Sequence, residues 1–188
     1  MSIAEKLVAI AEKLQEIYSL KDKKPYINSS EITDFRYFNQ EGKRNDVINK
    51  LDTSNGTNFY NYCYNAKELV EVDNDFSKST QMYGAFNGCS NLVTVVYADF
   101  SSVSGATNLN TIFNNCAALN NITFAPESIR VNLSISASPL LSDASIQSIV
   151  EGLRNTTSAR TLTLHADVKA KLTDAQKETI ATKGWTLA

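Results

Sequence analysis

The most constraining feature of this chain is a repeat with a period in the twenties. Each copy opens on an aspartate followed two residues later by a serine, and each closes on a leucine followed three residues later by valine or isoleucine. The aspartates are Asp52, Asp75 and Asp99, and the closing leucines are Leu69, Leu92 and Leu119. A fixed period of this length is the sequence signature of a solenoid, in which each copy buries its apolar face against its neighbours.

The second and third copies also share the motif Phe-x-x-Cys-x-x-Leu. The first copy departs from this motif, because Cys63 and Ala66 stand where the others have Phe and Cys. Extra residues near Gly105 lengthen the third copy. A weaker echo of the repeat, at 33–35, lies one period before 57–59 and predicts a degenerate turn at the N-terminal edge.

These repeat residues resemble the BspA-like leucine-rich repeat family, which occurs in bacterial surface proteins and in prophage-encoded proteins of gut bacteria. The segment that begins at 161–165 and ends at 183–187 is also similar to the C-terminal module of the prophage-encoded members. The resemblance implies an α/β fold, namely a short leucine-rich-repeat solenoid with a narrow parallel sheet. It further implies adhesion or receptor contact, with the protein placed in a virion or at a cell surface.

Changes of pattern divide the chain into four segments. We expect an amphipathic heptad helix at 1–24, an irregular N-terminal edge at 25–51, leucine-rich repeats at 52–136 and a helical C-terminal capping module at 137–188. In the capping module, Ser142 and the pair Thr173 and Gln176 stand where they would cap the starts of helices. Gly184 stands where a left-handed residue would end a helix.

The first segment carries a Ser-x-x-Glu capping box and then a heptad seam, in which apolar side chains recur at steps of four and three residues. The seam consists of Ile3, Leu7, Ile10, Leu14 and Ile17. It covers about two and a half heptads, fewer than a coiled coil usually needs. Two interpretations therefore stay open: the helix is an oligomerisation handle, or it caps the exposed end of the solenoid.

Alternating residues within each copy predict one short strand with an inward and an outward side. The inward side chains are Val72, Val95, Tyr97, Ile122 and Phe124. Two later strands, around 133–135 and 162–164, are expected to continue the same sheet. The outward side is the candidate binding surface, and it consists of Glu71, Asp73, Thr94, Asn121, Thr123, Ser134, Thr163 and His165.

Sequence signals for catalysis or metal binding are weak. His165 is the only histidine, and the sequence lacks a Gly-x-Ser-x-Gly elbow, a Walker loop, a zincin motif and a calcium loop. Cys63, Cys89 and Cys116 lack the close Cys-x-x-Cys spacing of metal ligands, so we interpret them as a buried ladder of small apolar side chains. We therefore predict no enzyme activity, no cofactor and no bound metal.

Composition and charge narrow the range of partners. The net charge is −2 and the basic residues form no stripe, which disfavours nucleic acid. No stretch of sequence reaches the roughly 18 apolar residues that span a bilayer. No secretory signal is visible, so we expect folding in the cytosol.

The function expected from these features is non-catalytic recognition or adhesion, with a protein or a bacterial cell-surface receptor as the partner. Solenoids mostly present extended surfaces, which favours binding over catalysis. In a first alternative, the chain is a structural fibre or spacer with no ligand of its own, and it forms a homo-oligomer through the heptad helix. In a second, Glu71 and Asp73 point outward from one strand and act as the paired carboxylates of a glycoside hydrolase.

Overall fold

The computed structural model of the chain describes residues 27, 29–105 and 109–188. Within these ranges the fold is mixed α/β, with two three-stranded parallel sheets and three α-helices. The first sheet consists of β1 (Glu71–Val72), β2 (Thr94–Ala98) and β3 (Asn121–Phe124), and the second of β4 (Leu133–Ile135), β5 (Arg160–Leu164) and β6 (Trp185–Leu187). The helices are α1 (Asp143–Gly152), α2 (Ala166–Lys171) and α3 (Asp174–Thr182), and short 3-10 helices lie at Gln40–Gly42 and Ile48–Lys50.

Two of the sequence predictions fall on residues that the structure does not describe. One is the heptad helix at 1–24, with its seam of Ile3, Leu7, Ile10, Leu14 and Ile17. The other is part of the third copy, since 106–108 lie in the gap between the described ranges.

Equivalent positions of successive copies pair with each other through the backbone. Asn58 forms parallel bridges with Asp34 on one side and Gln81 on the other, and each partner lies one repeat period away in the sequence. In the first sheet, Val72 pairs with Val95, which holds the same position of the next copy. The segment 33–35, which carries the weaker version of the repeat, thus pairs with the first copy in register.

Stacked aromatic side chains occupy the centre of the core. The rings of Phe35 and Phe59 lie almost parallel with their centroids 5.2 Å apart, because their backbone segments pair in register. Phe76 contacts Phe59 edge-to-face at 5.1 Å, and Phe86 stacks on Phe113 at 5.7 Å. Each of these rings is at most 1% exposed. Full burial of a side chain of this size stabilises a fold by about 1.5–3 kcal/mol.

The cysteines form a second buried row. Cys63, Cys89 and Cys116 are all buried with free thiols. The Cys89 thiol donates to the carbonyl of Cys63 at 2.9 Å, and the Cys116 thiol donates to the carbonyl of Phe86 at 3.1 Å. The prediction of a buried cysteine ladder is confirmed, and the thiols also bind backbone carbonyls of the preceding copy.

An asparagine side chain covers the open edge of β1. The side-chain amide of Asn49 donates to the carbonyl of Glu71 at 3.0 Å and accepts from the N–H of Asp73 at 2.9 Å. These are the two bonds that a neighbouring strand would make. An uncovered strand edge is a template for pairing with other chains, so Asn49 ends the first sheet on this side.

Two serines of α1 cover the opposite edge of the sheet. The hydroxyl of Ser145 accepts a hydrogen bond from the N–H of Ile122 at 2.9 Å, and that of Ser148 accepts from the N–H of Phe124 at 2.8 Å. Both donors belong to β3 and point away from β2. The helix therefore takes the place of a further strand and satisfies the backbone of β3 with side chains.

The helix ends of the C-terminal module follow the predicted pattern. The Ser142 hydroxyl caps α1, Thr173 and Gln176 form a reciprocal capping box at the start of α3, and Gly184 adopts a left-handed φ of +84° after its end. The ammonium group of Lys183 also donates to three carbonyls at the C-terminus of α1, at 2.7–3.1 Å. This cation stabilises the negative end of the helix dipole and ties α3 to α1. Helix α2 was not predicted.

The prediction of one continuous sheet is wrong. The strands around 133–135 and 162–164 pair with each other and with β6, and together they form the second sheet. The N–H of Ser134 donates to the carbonyl of Leu109, which precedes β3 in the chain. The later strands thus stack on a different segment of the third copy from the one that forms β3.

Tyr97 was predicted to point inward, and this is also wrong, because its side chain is 48% exposed. The cause is a bulge in β2. Val95 pairs with Ile122 and Ala98 pairs with Phe124, so that three steps along β2 match only two steps along β3. β2 therefore carries one extra residue relative to β3, and the alternation of inward and outward side chains breaks at that point.

We expect Ser145→Ala to lower the free energy of unfolding by about 1–3 kcal/mol, because it leaves the N–H of Ile122 without an acceptor. Ser145 is only 3% exposed, so water cannot readily replace the hydroxyl. Urea denaturation followed by circular dichroism measures the change. Ser158→Ala, at an exposed serine, is the matched control and should cost less than about 0.5 kcal/mol. Equal losses in the two variants would contradict the edge-covering role of Ser145.

Candidate interaction surface

The outward side of the first sheet brings together part of the predicted binding surface. Glu71, Thr94 and Asn121 occupy one register position on three neighbouring strands, so their backbones lie about 4.8 Å apart from strand to strand. Thr123 is exposed two residues further along β3, and Asp73 is half-buried just after β1. These five residues lie on or directly beside the outward side of the first sheet.

The other three predicted residues lie elsewhere. Ser134 and Thr163 are register partners in the second sheet. His165 follows β5 and caps α2, since its Nδ1 accepts a hydrogen bond from the N–H of Asp167 at 3.2 Å. The structure therefore divides the predicted surface into two groups, one for each sheet.

The bulge in β2 adds apolar side chains to the centre of this face. Because the alternation breaks, Val96 and Tyr97 are both exposed, by 39% and 48%. Val70, just before β1, is 55% exposed. The sequence predicted a mostly polar surface here, whereas the structure adds the aromatic ring of Tyr97 on the central strand.

An acidic cleft of about 490 Å³ opens beside Tyr97. Its carboxylates come from the repeated aspartates Asp52, Asp75 and Asp99, joined by Asp73. Neither lysine nor arginine lines the cleft. The cleft therefore combines one exposed aromatic ring with four carboxylates, and a cationic group would complement it.

The repeated aspartates are held by local backbone turns. Each of Asp52, Asp75 and Asp99 accepts a hydrogen bond from the N–H two residues later, at 2.8–3.0 Å. Hydrogen bonds from Ser54 lower the pKa of Asp52 below its ordinary value, and the charge of Lys78 contributes in the same direction. A carboxylate that accepts such bonds is stabilised in its charged form. The turns thus fix the aspartates in place and keep Asp52 ionised.

The cysteines are unsuited to act as nucleophiles. Burial raises the pKa of the Cys89 thiol to about 12, and it raises the pKa of Cys63 and Cys116 as well. The thiolate is the reactive form. Among residues 27, 29–105 and 109–188, no cluster of three or more His, Cys, Asp or Glu side chains is arranged to hold a metal ion.

Sequence reasoning missed a row of tyrosines, in which Tyr60 is half-buried and the outer two are exposed. Tyr37, Tyr60 and Tyr83 follow one another on successive copies, with ring centroids 5.6 Å and 5.4 Å apart. Tyr37 is 49% and Tyr83 37% exposed. The signal was present in the sequence, because Tyr60 and Tyr83 hold the same position of the repeat in consecutive copies.

When the chain is compared with models of protein families, with characterised proteins and with solved structures, none of them matches it. In the part of the chain that the structure describes, no helix has the length and apolar character needed to cross a membrane.

We expect all three thiols to resist alkylation in the folded protein. With a pKa of about 12, the Cys89 thiol is almost entirely protonated at pH 8, and burial also blocks access of the reagent. Mass spectrometry after treatment with iodoacetamide counts the modified cysteines. The native protein should take up none, and the protein unfolded in guanidinium should take up three. Rapid labelling of a single cysteine in the native state would contradict the buried ladder.

Proposed function

We propose that this chain is a non-catalytic recognition protein built on a short leucine-rich-repeat solenoid of the BspA-like kind. The parallel bridges from Asn58 to Asp34 and to Gln81 support the solenoid, because they link equivalent positions of successive copies. The stacked rings of Phe35 and Phe59 and the buried cysteine row support it in the same way. In a solenoid each copy contacts only its neighbours, which leaves long rows of side chains free for binding.

The observation that carries the recognition role is the exposure of Val96 and Tyr97 at the centre of the first sheet. Protein interfaces typically have an aromatic or aliphatic centre with a polar rim. Here Glu71, Thr94 and Asn121 flank the apolar pair, and the acidic cleft lies at one end. This arrangement suits an extended protein surface better than a small molecule, because the face is open and mostly polar.

The partner that fits this surface is a basic protein segment with an apolar side chain near its cations. A lysine or arginine would pair with the carboxylates of Asp75 and Asp99 and lay its aliphatic stem along Tyr97. Electrostatic attraction would also raise the association rate, and the effect would fall with salt. Following the family resemblance, we place this partner on a bacterial cell surface and the protein in a virion or at a cell surface.

The alternative of a structural fibre or spacer rests on the heptad seam at Ile3, Leu7, Ile10, Leu14 and Ile17, outside the described residues. The exposed side chains of the first sheet favour recognition, because a spacer with no ligand gains nothing from an exposed Tyr97. Both roles are compatible with a homo-oligomer.

We expect a random peptide library displayed on phage, selected against the immobilised protein, to enrich peptides with Lys or Arg next to an apolar residue. A selected peptide is then titrated into variants by isothermal calorimetry. Tyr97→Ser should weaken binding at least roughly tenfold, as loss of a central aromatic side chain does in protein interfaces. Asp75→Asn should also weaken binding, because it removes a charge and keeps the oxygen that accepts the N–H of Ser77.

Tyr83→Ser is the matched control, since it removes an exposed tyrosine that lies in the tyrosine row and outside the first sheet. It should leave the affinity of the selected peptide unchanged. If Tyr83→Ser abolishes binding and Tyr97→Ser does not, the binding surface is the tyrosine row and the proposed site on the first sheet is wrong. Enrichment of acidic peptides would contradict the proposed partner.

A further inference from the structure

Three of the five arginines of the chain lie close together where the repeats meet the C-terminal module. Arg130 and Arg154 follow the paired residues Ile129 and Leu153, which form a parallel bridge. Arg160 begins β5 and lines the same cleft as Arg130. We call Arg130, Arg154 and Arg160 the arginine cluster.

Arg130 lines two clefts. The larger, of about 580 Å³, lies between Arg130, Arg160 and the serines of the segment 101–104. The smaller, of about 200 Å³, lies between Arg130, Arg154 and the polar residues 155–156. No carboxylate lines either cleft. The lining residues are arginines, serines, a threonine and an asparagine, together with two valines in the larger cleft.

The cluster has no counter-charge within the described part of the chain. Elsewhere, Arg36 pairs with Asp34 at 2.7 Å and Lys177 with Asp174 at 3.3 Å. No ion pair or side-chain hydrogen bond of this kind forms at Arg130, Arg154 or Arg160 among the residues that the structure describes. The chain has 20 acidic residues and 18 basic ones, so a shortage of carboxylates is not the reason.

A second observation comes from Arg160, whose Nε is buried and has no hydrogen-bond acceptor among the described residues. A buried N–H without an acceptor is destabilising, and in native structures such a group commonly has a ligand, ion or water as its partner. Three like charges close together are also mutually repulsive. An anion bound in the larger cleft, which Arg130 and Arg160 both line, would offset this repulsion.

The choice of arginine over lysine indicates the kind of anion. No lysine lines either cleft, although the chain contains 13 lysines, the difference between its 18 basic residues and its five arginines. The planar guanidinium group donates two parallel hydrogen bonds to phosphate oxygens, whereas an ammonium group acts as a point charge. Because Arg130 borders both clefts, one ligand can place a phosphate group in each.

We propose that the arginine cluster binds a ligand that carries two or more adjacent phosphate groups. Arg130 and Arg160 hold one phosphate in the larger cleft beside the 101–104 serines, and Arg130 and Arg154 hold the next phosphate in the smaller cleft. No residue is shared between these clefts and the acidic cleft, so the proposal does not depend on the proposed function.

The test is calorimetric titration of the full chain with tripolyphosphate and, separately, with inorganic phosphate, at low and at high salt. We expect tripolyphosphate to bind at low salt at least roughly tenfold more tightly than inorganic phosphate, and the affinity to fall with salt because exposed charges are screened. Arg130→Gln and Arg154→Gln replace exposed side chains, so both variants should fold normally. Each should weaken binding of tripolyphosphate at least roughly tenfold, as loss of a guanidinium fork does.

Lys67→Gln, at an exposed lysine outside these clefts, is the control for loss of one positive charge and should bind as the parent chain does. Arg160→Lys keeps the charge and loses the fork, so it should retain the fold and weaken binding. Absence of tripolyphosphate binding at low salt would overturn the proposal, as would equal losses in Arg130→Gln and Lys67→Gln. Equal affinity for tripolyphosphate and inorganic phosphate would overturn the proposal that the ligand carries two adjacent phosphate groups.

Discussion

In-register parallel pairing between successive copies is the constraint on which the rest of this structure depends. Each backbone segment places its N–H and C=O groups against the segment one copy earlier and one copy later. The pairing holds equivalent residues roughly one strand spacing apart, about 4.8 Å. Phe35 therefore stacks on Phe59, and Cys89 donates to the carbonyl of Cys63. A different residue size at one position would therefore affect the packing of the copies directly before and after it.

The same constraint explains how the sheet ends. A stack of parallel segments has two open edges, and each edge exposes unpaired backbone groups. Asn49 satisfies one edge of the first sheet, and Ser145 and Ser148 satisfy the other. In each case the side chain makes the bonds that another copy would have made. A few polar side chains thus limit the first sheet to three strands, and the repeat pattern alone does not specify this number.

The sequence allowed the pairing and the buried cysteine row to be predicted, because both follow directly from the repeat period. Helix caps such as Ser142 were predictable for a local reason, since a cap requires only a few neighbouring residues. The orientation of Tyr97 was not predictable in this way. Alternation of inward and outward side chains assumes a regular strand, and one extra residue in β2 reverses the side to which Tyr97 points. The separate second sheet was not predicted, because the alternating pattern of a strand shows which of its faces is buried but does not show which other strand it pairs with.

Repetition also governs where charge accumulates on the surface. When a residue on the outward side recurs in each copy, the parallel pairing places its copies next to one another, as it does for the repeated aspartates. Their like charges repel one another and need local stabilisation. Asp52, Asp75 and Asp99 receive it from backbone N–H groups two residues later. Arg130 and Arg154 come together by the same parallel pairing, yet no group in the described chain supplies their counter-charge. The two clusters therefore differ physically: the turns of the chain itself stabilise the acidic one, whereas the proposed phosphate ligand would supply the counter-charge of the basic one.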